Sequence, residues 1–441
     1  MGDYLALMMF PALFLLIFLG FPIAFSLMAV AMVFGLMTFD MAAFNQFVSK
    51  VEDVATNFVL AAVPLFVFMG SMLERSGVAE KLFEAVYLWT RRMPGGLAVG
   101  TIIMCIIFAA STGVIGATET VVGLLAIPPM LKYQYSKPLI SGTICAGGSL
   151  GTIIPPSVVV VVLGPIADVS IGDLFVGMLF PGLILGGFYI IYILGVCLVD
   201  PKAAPRLPAD ELQMPLAEKL IITLKALVPP ILMIFAVLGS IMLGWAAPTE
   251  AAALGAAGAV LLTLVYRQFS FPMLREALLK TLTITAMIMM ILLAGSMFTG
   301  VFVGSGGIAL VQDLIRETAL GAWGLLALFL LLVFIAGFFL EWISILLIFI
   351  PIYMPFIRQI PEFDPVWFCI LILIMIQSSY LTPPMAPSIF YLRGIAPREI
   401  TLVHMYRGVV PFLVIQAVTL LIVTAFPQIA LWLPDQLLGF N

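Results

Sequence analysis

Two proline pairs interrupt long apolar runs in this chain. Pro155-Pro156 lies within "GSLGTIIPPSVV" (148–159), and Pro383-Pro384 within "SSYLTPPMAPSIFYL" (378–392). Proline has no N–H to give a helix and its ring clashes with the preceding turn, and glycines and hydroxyl residues crowd the approach to Pro155-Pro156, so these two pairs are expected to end or break the helices that reach them. In a bilayer core the freed N–H and C=O groups find no water. Irregular backbone survives there only when buried in protein or lining an aqueous cavity. Two such breaks therefore demand a membrane protein whose broken segments face its own interior.

The rest of the sequence supplies that membrane protein. Of 441 residues 63% are hydrophobic and 10% charged, with a mean hydropathy of +1.23; a soluble domain carries about 25% charged residues. The fold class expected is all-α and polytopic, since a transmembrane β-barrel would show short alternating segments. The net charge of −4 comes with no basic patch that would bind nucleic acid. Cys105, Cys145, Cys197 and Cys369 lie far apart in apolar runs and read as small buried hydrophobes. The N-terminal "MGDYLALMMFPALFLLIFLG" has no basic n-region and reads as a retained first helix rather than a cleaved signal.

The chain reads as two halves around a polar linker, residues 199–219, "VDPKAAPRLPADELQMPLAEK". Landmarks recur in the same order, at a spacing of about 225–230 residues. Pro22 matches Pro248, "MGSM" (69–72) matches "AGSM" (294–297), and Pro155-Pro156 matches Pro383-Pro384. "IADVSI" (166–171) matches "IAPREI" (395–400), and Pro181 matches Pro411. The expected domains are a first repeat over 1–198 and a second over 220–441.

Each half holds a second interrupted segment: 108–135, with a Ser/Thr/Gly-rich stretch between apolar runs, and 334–356, with its turn near Glu341-Trp342-Ile343-Ser344. The apolar runs are short for a crossing, which takes about 20 residues. Re-entrant hairpins are expected, each followed by a broken helix, 137–167 and 365–396. Arg91, Arg92, Lys132 and Lys137 flank the first hairpin without nearby acids, whereas Arg316 and Arg358 at the second are offset by Glu317, Glu362 and Asp364. By the positive-inside rule the two hairpins enter from opposite sides. Inverted repeats with broken helices are the architecture of secondary transporters, with binding at the midplane. Unwound carbonyls and hydroxyls suit Na⁺, and the helix N-terminus after each break suits a carboxylate.

As an ordered set, "VPLFVFMGSMLERSG" (63–77), "RMPGGLAVG" (92–100), "GGSLGTIIPPSV" (147–158), "VSIGDLFVGMLFPG" (169–182), "GWAAPTEAAALGA" (244–256) and "LTPPMAPSIFYLRGIAP" (381–397) run over essentially the whole chain. With them the sequence resembles the large membrane (M, DctM-type) subunits of tripartite ATP-independent periplasmic (TRAP) transporters. The resemblance implies an elevator-type secondary transporter in a bacterial inner membrane, with a scaffold and a moving transport domain. It implies Na⁺ as coupling ion, an organic acid as substrate, a small membrane (Q) subunit and a soluble periplasmic binding protein (P) as partners. One departure stands out. Many members carry a hairpin tip of the type "SGSSxATxxxxG", whereas this chain reads "STGVIGATET" over 111–120, keeping Ser111 and Ala117-Thr118 and gaining Glu119.

Candidate site residues follow. Ser111, Thr112 and Gly113, with Gly151, Thr152 and Pro155, are expected to cage one Na⁺; Glu341, Trp342, Ser344, Thr382 and Pro384 form the related set for a second. Ser157 and Ser388, just past the breaks, are candidates for the substrate, alternatively plain helix caps. Glu119 is a candidate for ion, proton or substrate contact, or for a tie to another helix. Glu250 reads as a helix-start acid. Segments 40–56 and 74–92 read as amphipathic arms. A stand-alone Na⁺/carboxylate symporter is the alternative function. One histidine, His404, and no paired aspartates leave little for an intramembrane enzyme.

Overall fold

The structure is a computed structural model that describes residues 5–113, 116–205, 214–317 and 320–437. Over these residues every regular element is helical. Most of the expected linker, 206–213, lies outside the described residues, as do Val114 and Ile115 at the first hairpin tip. Helix Leu179–Val199 ends where the linker begins, and helix Leu216–Ile234 starts before it closes.

Helix length sorts the elements by role. Among the described residues, five spans are long and apolar enough to cross a bilayer: Ile171–Val199, Leu216–Met242, Pro248–Val265, Phe271–Gly304 and Leu402–Ala425. The segments singled out by their breaks are shorter. Helices Gly96–Thr112, Ala117–Lys132, Lys137–Ser149 and Val158–Ala167 hold 17, 16, 13 and 10 residues. In the second half Ala322–Ala336, Trp342–Ile357, Pro365–Leu381 and Pro387–Ile395 hold 15, 16, 17 and 9. At 1.5 Å per residue none reaches ~30 Å, so each pair of short helices makes two arms of a hairpin or two pieces of one broken span.

Local chemistry places these helix ends. Asp364 caps Pro365–Leu381, its Oδ1 accepting from the amides of Val366 and Trp367 at 2.7 and 3.2 Å, with proline at the first helical position. Ser136 caps Lys137–Ser149 in the same way through the Leu139 amide, with Pro138 beside it. At the far end the first broken helix tightens into a 3₁₀ turn, Leu150–Thr152, before Pro155-Pro156; the second ends at Leu381 before Pro383-Pro384. The peptide bond within each proline pair is cis. Glu250 acts as the sequence suggests, its Oε2 accepting from the Ala247 amide at 2.9 Å at the start of Pro248–Val265. All four cysteines are buried and form no disulfide.

The short helices gather in the interior, against a frame of longer ones. Helix Ala62–Glu74 packs closely on Pro248–Val265 and on the 34-residue helix Phe271–Gly304. The frame meets the interior bundle where Gly295 lies under the Leu347 side chain and Thr299 donates its hydroxyl to the Leu347 carbonyl at 2.7 Å. Helix Leu402–Ala425 crosses Lys137–Ser149 so closely that a Cβ on Gly142 would collide with the Gly408 carbonyl. Small residues permit such contact between membrane helices. Two amphipathic helices, Ala42–Ala55 and Val78–Thr90, fill the segments expected to be arms. The first is bent by 51° from the helix that follows it.

Candidate substrate and ion site

The tip of the first hairpin sits on the first break. Gly113 ends helix Gly96–Thr112 in the left-handed region, at φ 62°, and its carbonyl accepts from the Val158 amide at 3.2 Å. A side chain at Gly113 would press its Cβ to 2.8 Å from the Pro156 carbonyl oxygen. The break is wholly buried, from Gly151 through Val158. Ser111, Thr112 and Thr152 are buried too, and each hydroxyl donates back along its own segment: Ser111 to Ile107, Thr112 to Phe108, Thr152 to Ser149, at 2.8, 3.0 and 2.9 Å. A hydroxyl oriented this way keeps its lone pairs available to a cation. Helix Gly96–Thr112 packs on the Leu150–Thr152 turn, so the first ion set is brought together at one junction of hairpin and break.

The second set is more open. Glu341 stands at the N-terminal boundary of Trp342–Ile357 without capping it through its side chain. Trp342 is buried, and Ser344, two residues further in, is fully buried with no partner for its hydroxyl among the described residues. Thr382 donates its hydroxyl to Ser378, and Pro383 and Pro384 are exposed, in contrast to Pro155 and Pro156.

Both hairpins and both breaks contribute to one cavity of about 410 Å³. Gly113 reaches it from the first tip, Glu341 and Trp342 from the second, Val158 from beyond the first break, and Tyr380 and Pro387 from either side of the second. The frame closes it with Val67 and with Ile284, Met287 and Ile288 of the long helix. Thr382 and Pro384 are not among its lining residues. A volume of this size is at the small end of ligand sites.

The two serines past the breaks part ways. Ser157 stands at the start of helix Val158–Ala167, fully buried, yet caps nothing: its hydroxyl has no partner among the described residues. Ser388 has one. It donates to Glu119 Oε1 at 2.8 Å, while Glu119 Oε2 accepts from the Gly116 amide at 2.6 Å. Glu119 is fully buried, packed so tightly on Gly148 that any side chain there would overlap it. The carboxylate thus holds the first tip, the first broken helix and the helix after the second break together.

Sequence reasoning passed over four rings on this cavity: Trp342 as a ring, Tyr380, Phe390 and Tyr391. Tyr380 is buried with an unpartnered hydroxyl among the described residues; Phe390 is 62% exposed. The available signal was that three of them bracket the second proline pair.

Comparison with known proteins agrees with this architecture. Residues 10–429 match the family described as the tripartite ATP-independent periplasmic transporter, DctM component. A C4-dicarboxylate TRAP transporter large permease protein of Pseudomonas aeruginosa is 32% identical, covering 88% of this chain and 89% of its own. A sialic acid TRAP transporter large permease protein of Vibrio cholerae is 28% identical over 97% of both chains. An ectoine/5-hydroxyectoine TRAP transporter large permease protein of Ruegeria pomeroyi is 28% identical over 98% of this chain and 99% of its own. Among solved structures, the YdaH transporter of Alcanivorax borkumensis superposes with a TM-score of 0.59 at 15% identity, covering 88% of each chain, a likeness of fold.

Proposed function

This chain belongs to the DctM family, the large permease components of TRAP transporters, and from that premise we propose that it couples uptake of a small organic acid to Na⁺ by an elevator motion. It is a multi-pass membrane protein of a family of permeases, not enzymes; the proposed location is the bacterial inner membrane. Its proposed partners are a small membrane subunit and a periplasmic binding protein that delivers the acid. Relatives are named for acids as different as C4-dicarboxylates and sialic acid, so the delivered acid differs from member to member.

The single observation that carries the reading is the shared cavity. Two hairpin tips and the helix starts beyond two breaks meet there against one face of helix Phe271–Gly304. A transport domain built of hairpins and broken helices could carry such a site past a scaffold that includes this long helix. Between them, the Thr299 hydroxyl donates to the Leu347 carbonyl.

One Na⁺ is proposed at the first junction, coordinated by oxygens from Ser111, Thr112, Gly113, Gly151, Thr152 and Pro155. Na⁺ is a hard cation suited to carbonyl and hydroxyl oxygen. Ion binding there would stiffen the Gly113–Val158 contact and shape the adjacent wall of the cavity. The acid's carboxylate is proposed to meet the start of helix Val158–Ala167, whose Val158 lines the cavity and whose positive end favours an anion, with the fully buried Ser157 hydroxyl preceding it outside the lining.

The test is reconstitution of this chain with its small subunit in liposomes. Uptake of the acid recovered from the co-purified binding protein is expected to need that protein and an inward Na⁺ gradient. Equal uptake under a K⁺ gradient would refute Na⁺ coupling, and equal uptake without the binding protein would favour a stand-alone symporter.

A further inference from the structure

The cavity has an acid and no base. Among the described residues no Lys, Arg or His lines it, and Glu341 does. The Glu341 carboxylate makes no hydrogen bond or ion pair with any described residue. Its surroundings are apolar and aromatic: Leu340, Trp342, Tyr380, Met385, Phe390 and Tyr391 share the cavity with it. An acidic side chain within a membrane protein's interior is costly unless something positive meets it, and it marks function by default.

The rings say what kind of positive charge. Four aromatic side chains, Trp342, Tyr380, Phe390 and Tyr391, border one volume of about 410 Å³. None of them takes part in the ring pairs that tie the rest of the molecule together, such as Phe329 on Tyr353 or Phe14 on Phe339. Trp342 and Tyr380 are buried in the cavity wall, while Phe390 and Tyr391 stay largely exposed at its edge. Aromatic faces attract a cation through the ring quadrupole, most strongly when it is desolvated, and groups of rings are used to recognise quaternary ammonium. A bare metal ion would be poorly served by apolar walls and a space this large. A nitrogen cation clothed in methyl or methylene groups gains both from the rings and from burial of its apolar surface. A second carboxylate on the substrate would face Glu341 with no counter-charge in between.

Resting on the symport reading above, we propose that the transported acid is a zwitterion. Its carboxylate lies toward Ser157, and a quaternary or delocalised nitrogen cation sits among Trp342, Tyr380, Phe390 and Tyr391 with Glu341 as counter-ion. Glu341 and the rings select against simple mono- and dicarboxylates of the same size.

The experiment compares two probes of equal shape, glycine betaine and 3,3-dimethylbutanoate, which differ by a charged nitrogen in place of a carbon. Binding to the purified permease complex in nanodiscs is measured by thermal shift and calorimetry, in Na⁺ and in K⁺. In the wild type, betaine in Na⁺ is expected to bind about tenfold or more tighter than its neutral-tailed isostere. Glu341→Gln is expected to shrink that preference to about threefold or less, and Phe390→Leu, at an exposed ring, to weaken betaine without weakening the isostere. Binding of the isostere as tight as that of betaine, or failure of both to bind, overturns the zwitterion proposal. The symport reading is judged separately, by whether Na⁺ rather than K⁺ stabilises the complex on its own; a response to Na⁺ with no preference for betaine would sink the inference and leave that reading standing.

Discussion

Ser388 donates its hydroxyl to Glu119 at 2.8 Å across 269 positions of sequence, joining the helix after the second break to the N-terminus of the first hairpin's second arm. Glu119 occupies the third position of that arm and caps it through the Gly116 amide. One oxygen stabilises its own helix and the other fastens the two repeats. Hydrogen bonds to charged groups are stronger than neutral ones, and a buried partner left alone loses its desolvation cost unrecovered.

Glu119→Ala should therefore destabilise the folded protein by about 1–3 kcal/mol, the range for stranding buried polar groups. Ser388→Ala alone should cost less. A double-mutant cycle in thermal or denaturant unfolding of purified protein should give a coupling of about 0.5–3 kcal/mol between the two positions; strict additivity would show that the contact does not hold the repeats together.

Gly113→Ala should abolish Na⁺-driven uptake while leaving the protein inserted in the membrane. The substitution places a Cβ 2.8 Å from the Pro156 carbonyl and forces alanine to φ 62°, a left-handed conformation that costs about 1–2 kcal/mol for a non-glycine residue. The tip must then lift from the break, disrupting the proposed ion site. Uptake at the wild-type rate and Na⁺ dependence would show that the junction tolerates this displacement.

Gly142→Val should reduce the yield of folded protein sharply, because its side chain runs into the Gly408 carbonyl at the crossing of Lys137–Ser149 with Leu402–Ala425. Overpacking of this kind costs about 1–3 kcal/mol or more. Gly187→Val is the matched control: nothing lies within 4 Å of a Cβ there. Size-exclusion profiles and melting temperatures of the two variants should differ in that direction.

Arg358 caps the end of helix Val158–Ala167, donating to the carbonyls of Ala167 and Asp168 at 3.1 and 2.8 Å as well as to Asp168 Oδ2 at 3.0 Å. The Asp168 side chain is 87% exposed, and an ion pair so open to solvent contributes about 0–1 kcal/mol. Asp168→Asn should consequently be close to neutral in unfolding assays, at low and high salt alike. Arg358→Ala should be the more damaging change, since it removes the bonds to the backbone carbonyls too.

Much of this molecule was legible from sequence because its strongest constraints are local. A proline pair after a run of small and hydroxyl residues marks a break, and an apolar run of about 14 to 16 residues is short for a crossing, so the hairpins and breaks were legible from local spacing. The helix-start role of Glu250 was visible for the same reason: a capping contact reaches three residues. What tertiary structure alone decided is which distant pieces meet. Nothing around Glu119 names Ser388 as its partner, and nothing around Ser157 says that its hydroxyl stays unclaimed while Ser388 finds a carboxylate. The two proline pairs look equivalent in sequence, yet one is sealed beneath a hairpin tip and the other lies open. Trp342, Tyr380, Phe390 and Tyr391 each resemble any aromatic residue of a membrane protein; they enclose a common space with Glu341 only because three separate helices converge there. Helix breaks depend on covalent geometry within a few residues, whereas a cavity is a property of packing between segments, which no local pattern encodes.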